Sequence, residues 1–174
     1  LINDLNLNKD IDGILVQLPL PKQINSEIIL NAVEPSKDVD GFNILNAGNI
    51  YLNRVGVIPC TPLGCLIMLR SITKSLKGMH AVIIGRSNIV GKPMAQLLLN
   101  EDCTVTTVHS KSNNIQKIVK EADIIVAAVG IPNLVKESWV KKDAIVIDVG
   151  INRIHYEDKV ELVGDVDFKE VESL

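Results

Sequence analysis

The sequence predicts an α/β fold with a parallel sheet in its second part. Four short runs are predicted to be strands, of which the first is apolar and typical of a buried strand: His80–Ile84, Thr104–Val108, Asp123–Val129 and Ala144–Val149. Helical patterns separate these runs, and such alternation is typical of a parallel sheet with right-handed crossovers. A glycine-bounded loop follows the first run and opens a helix, an arrangement that aims backbone N–H groups at a phosphate.

Composition and charge exclude several function classes. The chain has 174 residues, 47% of them hydrophobic, which is enough for a sizeable core. A net charge of −3 with scattered basic residues gives no sign of nucleic-acid binding or of a polybasic membrane patch. No apolar run reaches the roughly 18 residues of a membrane-spanning helix. The three cysteines form neither a C-x-x-C motif nor a paired framework, so we expect reduced thiols, a cytoplasmic location and no metal site.

The first elements along the chain are short. Leu1–Leu7 predicts the end of a helix already under way, and the chain therefore resembles an internal fragment. Ile14–Leu18 predicts a buried parallel strand. Pro19 and Pro21 end it, because proline supplies no N–H to a strand ladder.

Two helices and a loop follow before the sheet begins. Ser26–Val33 predicts a short amphipathic helix, capped by Asn25 or by Ser26 itself. Residues 35–49 are rich in Gly, Asn and Asp, which predicts a loop. Thr61 and Pro62 are good cap and first-turn residues for a helix that runs to Ile72.

Helices are also predicted between the strands of the second part. Their expected spans are Pro93–Leu99, Asn114–Glu121, a short helix near Glu137–Val140 and a last one starting at Phe168. Lys77–Gly78 is a plausible boundary, so we expect a first domain over 1–76, a second over 77–166 and a C-terminal segment over 167–174.

The loop after the first strand is the most informative motif. It runs from Gly85 to Pro93 as GRSNIVGKP. Gly85 would allow a tight turn and Gly91 a close approach of helix and strand, although Ser87 replaces the middle glycine of the usual G-x-G-x-x-G. We predict a nucleotide site that includes these three residues and Ile89, with an ordinary strand-to-helix turn as the alternative.

The end of the second strand indicates which nucleotide binds. A carboxylate there would hydrogen-bond the 2′-hydroxyl of NAD, but this sequence has His109, Ser110 and Lys111. A cation, a hydroxyl and an imidazole suit the 2′-phosphate of NADP, and Arg86 of the loop could reach the same phosphate. The sequence therefore favours NADP, with a solvated turn at 109–111 as the alternative.

Glycines also follow the third and fourth strands. Gly130 comes after the third strand, and Gly150 and Ile151 come after the fourth. A nucleotide can lie against bare backbone at such positions, although turns alone also select glycine there. We add these three residues to the predicted cofactor site.

Four motifs in fixed order resemble one family. They are VQLPLP at 16–21, DVDGF at 38–42, PCTPLG at 59–64 and GRSNIVGKP at 85–93. Together they resemble the bifunctional methylenetetrahydrofolate dehydrogenase/methenyltetrahydrofolate cyclohydrolase (FolD) family, and the resemblance continues to Gly164-Asp165-Val166. It implies a Rossmann-like NADP-binding domain plus part of an α/β folate-binding catalytic domain.

The resemblance also implies an activity and a setting. The activity is oxidation of 5,10-methylenetetrahydrofolate with NADP, followed by hydrolysis of the methenyl form to 10-formyltetrahydrofolate. The implied setting is a homodimer of one-carbon metabolism, which serves purine and amino-acid biosynthesis.

The resemblance further assigns residues in the folate site. Gln17 matches the glutamine that orients the family's essential lysine, and a neutral amide can do so without adding charge beside an amine. Asp40 matches the aspartate that binds the pterin, where a carboxylate can accept two hydrogen bonds. Asp38 is interpreted as structural, and Cys60, near the implied cleft, is given no chemical role.

The sequence departs from the family in extent. The lysine of the family lies in a Tyr-x-x-x-Lys motif, but Val55 follows Tyr51 and Val160 follows Tyr156 at that spacing. The family's Pro-Gly-Gly-Val-Gly-Pro segment is also absent. Two alternatives therefore stay open: an NADP-binding fragment or pseudoenzyme without cyclohydrolase activity, and a shikimate-dehydrogenase-like reductase, against which the motifs at 16–21 and 38–42 argue.

Overall fold

The computed structural model describes residues 1–155 and 159–174, so Tyr156 lies outside the described residues. The helices are α1 (Ile2–Leu7), α2 (Ser26–Ala32), α3 (Ile44–Tyr51), α4 (Cys60–Ile72), α5 (Gly91–Asn100), α6 (Ile115–Lys120) and α7 (Phe168–Val171), with a 3₁₀ turn at Glu137–Trp139. The strands are β1 (His80–Ile84), β2 (Thr104–Val108), β3 (Ile124–Ala127), β4 (Ile145–Asp148), β5 (Asn152–His155) and β6 (Val160–Val163). No helix among the described residues is long and apolar enough to cross a membrane.

The predicted parallel sheet is confirmed. Its order is β2-β1-β3-β4, and every neighbouring pair is parallel. β1 and β2 have the predicted bounds, whereas β3 and β4 are each shorter than predicted at both ends. The fold is therefore α/β with a Rossmann-like sheet.

Each face of the sheet packs a separate apolar layer. On one face α4 and α5 cover the sheet with the buried side chains of Leu66, Leu69, Met94, Leu97 and Leu98. On the other face α6 and the segments around Val135 and Val166 cover it. Strand side chains alternate between the two layers, which is why β1 and β3 read as uninterrupted apolar runs.

The strand predicted at Ile14–Leu18 is wrong in extent. Within the described residues only Ile14 pairs, in an isolated parallel bridge with Asp38. The Ile14 N–H donates to the Lys37 carbonyl at 2.6 Å. The run then leaves the bridge, and Leu15 is 59% exposed. An apolar run indicates strand propensity but cannot supply the neighbouring strand that a ladder requires.

The loop predicted at 35–49 is also wrong in its second half. α3 begins at Ile44, and the Asn43 side chain caps it by accepting from the Leu45 N–H at 2.9 Å. Asn46 and Gly48 gave this stretch a loop-like composition. Asn46 is buried because its side chain bonds the Asp38 carboxylate and the Pro35 carbonyl. Tertiary hydrogen bonds therefore outweigh the low helix propensity of this segment.

Other boundaries differ in detail. α4 begins two residues earlier than predicted, at Cys60, with Pro59 rather than Thr61 in the cap position. The antiparallel hairpin of β5 and β6 was not predicted, because turn signals in the sequence were too weak to separate two strands of four residues each.

Candidate functional site

The carboxyl ends of the four parallel strands form one edge of the sheet. β1 lies between β2 and β3. The chain therefore passes from β1 to β2 on one side, and then crosses to β3 on the other side of β1. This reversal of strand order opens a crevice at the carboxyl edge, where open α/β sheets bind their ligands. Gly85, His109, Gly130 and Gly150 all follow directly or closely after strands at this edge.

The two glycines of the β1–α5 loop are required by its shape. Gly85 has φ +120°, a conformation that L side chains rarely adopt, and a Cβ there would overlap the carbonyl oxygen of Ala128 after β3. A Cβ at Gly91 would overlap the Gly85 carbonyl. The tight turn and the close helix–strand approach expected from the spacing are both present. Both glycines are buried, so they determine the shape of the loop through packing within the protein.

Ser87 has a role inside the loop that the sequence analysis did not anticipate. Its hydroxyl accepts hydrogen bonds from the N–H groups of Val90, at 3.1 Å, and Gly91, at 3.3 Å. Its carbonyl accepts from the Lys92 N–H at 3.0 Å. Ser87 therefore caps the start of α5, and the two capped N–H groups are engaged within the protein rather than aimed at a phosphate.

Arg86 and His109 follow neighbouring strands at the same level. Ile84 pairs with Val108 in the β1–β2 ladder, and the Gly85 N–H donates to the Val108 carbonyl at 2.9 Å. The Lys111 N–H donates to His109 Nδ1 at 3.2 Å. Arg86 and Ser110 are exposed. A guanidinium, an imidazole and a hydroxyl thus follow the ends of two neighbouring strands, and these residue types can bind a phosphate.

The N–H groups after β3 and β4 are occupied by carboxylates. Asp165, fully buried, accepts from Val129 N–H at 2.6 Å, Gly130 N–H at 3.0 Å and Ile131 N–H at 2.9 Å. The Gly150 N–H donates to Asp148 at 2.9 Å. The backbone donors of Gly130 and Gly150 are therefore directed inward, whereas Gly130 itself and Ile151 remain exposed.

Sequence reasoning missed Asp148, Asp165 and Asn152 as parts of this edge. The Asn152 side-chain N–H donates to Asp165 at 2.9 Å. The sequence analysis used the Gly164-Asp165 pair only to mark how far the family resemblance extends, and did not interpret it as part of a site. A hydrogen bond that spans 34 to 36 residues leaves no local pattern in the sequence.

A small cavity of about 220 Å³ joins three of the predicted site residues. Gln17, Asp40 and Ile89 line it together, with four apolar neighbours: Leu15, Val16, Leu18 and Phe42. Ile89 belongs to the loop after β1, so the cavity connects the Gln17–Asp40 region to the nucleotide edge. Gln17 is exposed, and its side-chain N–H donates to the Leu18 carbonyl at 3.0 Å.

Burial and a neighbouring charge act on Asp40. Burial raises the pKa of the Asp40 carboxyl above its usual value, and the negative charge of Asp38 raises that pKa further. Asp38 is itself buried and accepts from the Asn43 N–H at 2.8 Å and the Asn46 side chain at 3.0 Å. Asp38 thus has a structural role in the turn, as expected, and leaves Asp40 facing the cavity.

A larger cavity of about 920 Å³ lies beyond Phe42 and Ile89, which line both cavities. Its walls come from α2, α3, α5 and β2 and are mostly apolar. Of the predicted site residues it contains only Ile89. We therefore centre the candidate site on the small cavity and the carboxyl edge rather than on the larger cavity.

Metal-binding geometry is absent from the part of the chain that the structure describes. No three His, Cys, Asp or Glu side chains in residues 1–155 and 159–174 come together as a metal site would require. Cys65 and Cys103 are buried, and burial raises the pKa of both thiols. Cys60 is exposed, with its Sγ 3.9 Å from the Val39 carbonyl oxygen.

Comparisons with known proteins agree with this geometry. Residues 59–174 match the family model of the tetrahydrofolate dehydrogenase/cyclohydrolase NAD(P)-binding domain, and residues 1–40 match that of its catalytic domain. The chain is 56% identical over 168 residues to the bifunctional protein FolD 1/3 of Ruegeria pomeroyi, an alignment that covers 97% of this chain and 57% of that protein.

Two solved structures are similar throughout the chain. The bifunctional FolD of Campylobacter jejuni has a TM-score of 0.95 and 47% identity, over 99% of this chain and 60% of that one. The Trypanosoma brucei FolD, solved with NADP cofactor and an inhibitor, has a TM-score of 0.91 and 38% identity, over 98% of this chain and 60% of that one. The chain thus spans about three fifths of the length of the relatives it matches.

Proposed function

Because the chain belongs to the tetrahydrofolate dehydrogenase/cyclohydrolase family, we propose that it contributes the nucleotide site and one side of the folate site to an NADP-dependent methylenetetrahydrofolate dehydrogenase and methenyltetrahydrofolate cyclohydrolase. The observation that carries the proposal is the shared cavity of Gln17, Asp40 and Ile89. It joins the two residues matched to folate chemistry to the loop matched to the nucleotide. The geometry favours this activity over a non-catalytic nucleotide-binding fragment.

The dehydrogenase reaction requires the nicotinamide ring of the cofactor and the folate ring system to be held face to face. NADP, when bound, supplies the hydride acceptor. The loop after β1 lies at the nucleotide edge in the shape that Gly85 and Gly91 permit, and Arg86, His109 and Ser110 offer donors for the 2′-phosphate. Phe42 and Ile89 line the cavity with apolar surface, which excludes water from the reacting atoms.

The cyclohydrolase half requires a group that moves a proton. Family resemblance gives that work to a lysine in a Tyr-x-x-x-Lys segment, which this sequence does not contain. Gln17 is proposed to orient the lysine, and Asp40 to bind the pterin edge with both carboxylate oxygens. Hydrolysis therefore belongs to a form of the protein in which that lysine is present.

We also propose the finer points that follow from the resemblance. The domains divide at 1–76, 77–166 and 167–174, the protein acts as a cytoplasmic homodimer, and its products serve purine and amino-acid biosynthesis. Family membership supports these points, and size-exclusion chromatography with light scattering would test the dimer.

Arg86 should determine the preference for NADP over NAD. We expect Arg86→Ala to weaken NADP binding by roughly 10- to 100-fold, because one charge-assisted contact to the 2′-phosphate is lost. NAD, which lacks that phosphate, should bind the variant and the wild type equally. Isothermal titration of both nucleotides measures this, with the exposed Arg54→Ala as the matched control. An equal loss for both nucleotides would contradict a 2′-phosphate role.

Asp40 should determine folate use without supporting the fold. In a form that carries the lysine segment, Asp40→Asn should lower kcat/KM for the folate substrate by roughly tenfold or more and leave NADP affinity unchanged. The assay follows NADPH formation and methenyl-folate decay separately. A parallel loss of NADP affinity would show that Asp40 is a structural turn residue.

The pH dependence of stability provides a second test of Asp40. Its raised pKa means that the folded state disfavours the ionised carboxylate, so the group stabilises the fold only at low pH, and this contribution is lost as the pH rises through the raised pKa. At neutral pH, Asp40→Asn should therefore unfold at the same denaturant concentration as the wild type or a higher one. This advantage should disappear as the pH falls below the ordinary pKa of aspartate.

A further inference from the structure

We propose that Asp165 is a positioning residue that holds the loop after β3 in place for the nicotinamide half of the dinucleotide, an inference that rests on the proposed function. Asp165 is fully buried, and its two carboxylate oxygens accept four hydrogen bonds. A buried carboxylate is costly unless its oxygens are well satisfied. Four donors from two separate segments satisfy this one, so the position of those segments depends on it.

Three of the donors form a concave cluster of backbone N–H groups. They belong to Val129, Gly130 and Ile131, and Gly130 has the left-handed φ of +67°. Successive N–H groups in such a turn bind anions. Here the anion is a side chain of the protein itself, so Asp165 holds the loop through its N–H groups while Gly130 stays exposed. These three N–H groups are therefore occupied by Asp165 and do not serve a ligand phosphate.

A second carboxylate fixes Asp165 in turn. Asp148, the last residue of β4, accepts from the Asp165 N–H at 2.9 Å and the Val166 N–H at 3.0 Å. Gly150 and Gly164 leave room for this arrangement, because a Cβ at either would overlap the carboxylate of Asp165 or of Asp148. Asn152, the first residue of β5, donates to the Asp165 carboxylate and so connects it to the β5–β6 hairpin. Asp165 thus joins the ends of β3 and β4 and the hairpin.

The strand order tells which half of the nucleotide this cluster serves. β2, with His109 after it, lies on one side of β1, and β3 lies on the other. The adenosine ribose of a dinucleotide lies beside the end of the second strand. The other half must then extend across the crevice toward the loops after β3 and β4. A disturbance at Asp165 should therefore affect the nicotinamide half and spare the adenosine half.

The experiment compares two ligands on the 174-residue chain. Isothermal titration measures the Kd and the stoichiometry of NADP and of 2′,5′-ADP, which carries only the adenosine half and its phosphate. Asp165→Asn keeps the size of the side chain but replaces one acceptor oxygen by an N–H₂ donor that faces backbone donors. We expect the Kd of this variant for NADP to be at least about tenfold higher than that of the wild type, with the stoichiometry of binding unchanged. Its Kd for 2′,5′-ADP should stay within about twofold of the wild-type value.

Asn152→Ala is the second variant, for the case in which Asp165→Asn does not fold. It removes one of the four hydrogen bonds of Asp165, and Asn152 is only half-buried. We expect a rise of about threefold in the Kd for NADP alone, together with faster amide hydrogen exchange at 129–131. The exposed Asn113→Ala is the matched control and should match the wild type.

The outcomes separate a positioning role from a structural one. Lower stoichiometry with an unchanged Kd for NADP would mean that Asp165 only supports folding, and the inference would be overturned. An equal rise in the Kd values for NADP and 2′,5′-ADP would overturn the inference as well, because binding of the adenosine half would then be affected. If the wild-type chain binds neither ligand, the proposed function itself fails and this inference fails with it.

Discussion

Replacing Gly85 by Ala is expected to lower the free energy of unfolding by about 3–5 kcal/mol and to abolish NADP binding. A left-handed φ of +120° is strained for any residue with a Cβ, and that Cβ would overlap the Ala128 carbonyl oxygen. Neither obstacle can be relieved by a side-chain rotation, since both involve backbone atoms. The loops after β1 and β3 would have to separate, and this would widen the crevice where the nucleotide is proposed to lie.

Gly48→Ala is the matched control for this prediction. Gly48 lies within α3, and a Cβ there would meet nothing within 4 Å. Alanine is the better helix former, so this variant should be more stable by roughly 0.5–1 kcal/mol. Urea denaturation of both variants, together with NADP titration, gives the comparison. If Gly85→Ala were as stable as the wild type and bound NADP, the turn after β1 would be adaptable and the proposed close approach would be wrong.

Replacing Asp38 by Ala should have the second largest effect, a loss of about 3 kcal/mol in the free energy of unfolding. Its carboxylate is buried and is the acceptor for the Asn43 N–H and the Asn46 side chain. Without it, two buried donors lose their partner and the turn from Asp38 to α3 loses its anchor. The pKa of Asp40 should also fall toward its usual value, because the nearby negative charge is gone.

Denaturation and a pH titration of Asp40 would measure these two effects. The exposed Asp12→Ala serves as the control, and we expect it to change neither quantity. Asp38→Asn should lose less stability than Asp38→Ala, since both hydrogen bonds are accepted by one carboxylate oxygen and the single amide oxygen of asparagine can take its place. If Asp38→Ala were as stable as the control, the polar cluster around Asn46 would have to hold α3 in place without it.

The sheet could be predicted from the sequence because its two central strands, β1 and β3, are buried on both faces. β1 and β2 matched their predicted bounds, and β3 and β4 were found within theirs. An uninterrupted apolar run followed by glycine is a local signal that does not depend on distant partners. The Gly85–Gly91 loop could be predicted for the same reason, since its shape depends on which of its own residues lack a Cβ.

The parts that could not be predicted depend on contacts between distant residues. α3 has the composition of a loop and becomes a helix because Asn43 and Asn46 bond to residues outside it. The apolar run from Ile14 pairs only at its first residue, because pairing depends on a neighbour that the run itself does not specify. Composition and periodicity contain no information on such partners.

The candidate site also contains residues that could be predicted from the sequence and residues that could not. The resemblance selected Gln17 and Asp40, and the structure brings both to one cavity with Ile89. Their chemical roles remain predictions. Asp165 could not be found from the sequence, because an aspartate after glycine is typical of an ordinary turn. Its burial and its four donors, which lie between 13 and 36 residues away, become visible only in the folded chain.

The apolar layer beneath α4 and α5 has a consequence for motion. Ile50 of α3 and Leu66 and Leu69 of α4 share this layer with Ile83 of β1 and Leu97 of α5. Pulling the segment before β1 away from the sheet would expose these side chains to water, at a cost of roughly 1.5–3 kcal/mol for each one. The two parts should therefore unfold in a single cooperative transition. We therefore expect ligands to enter through rearrangement of loops and side chains rather than by a hinge between the parts.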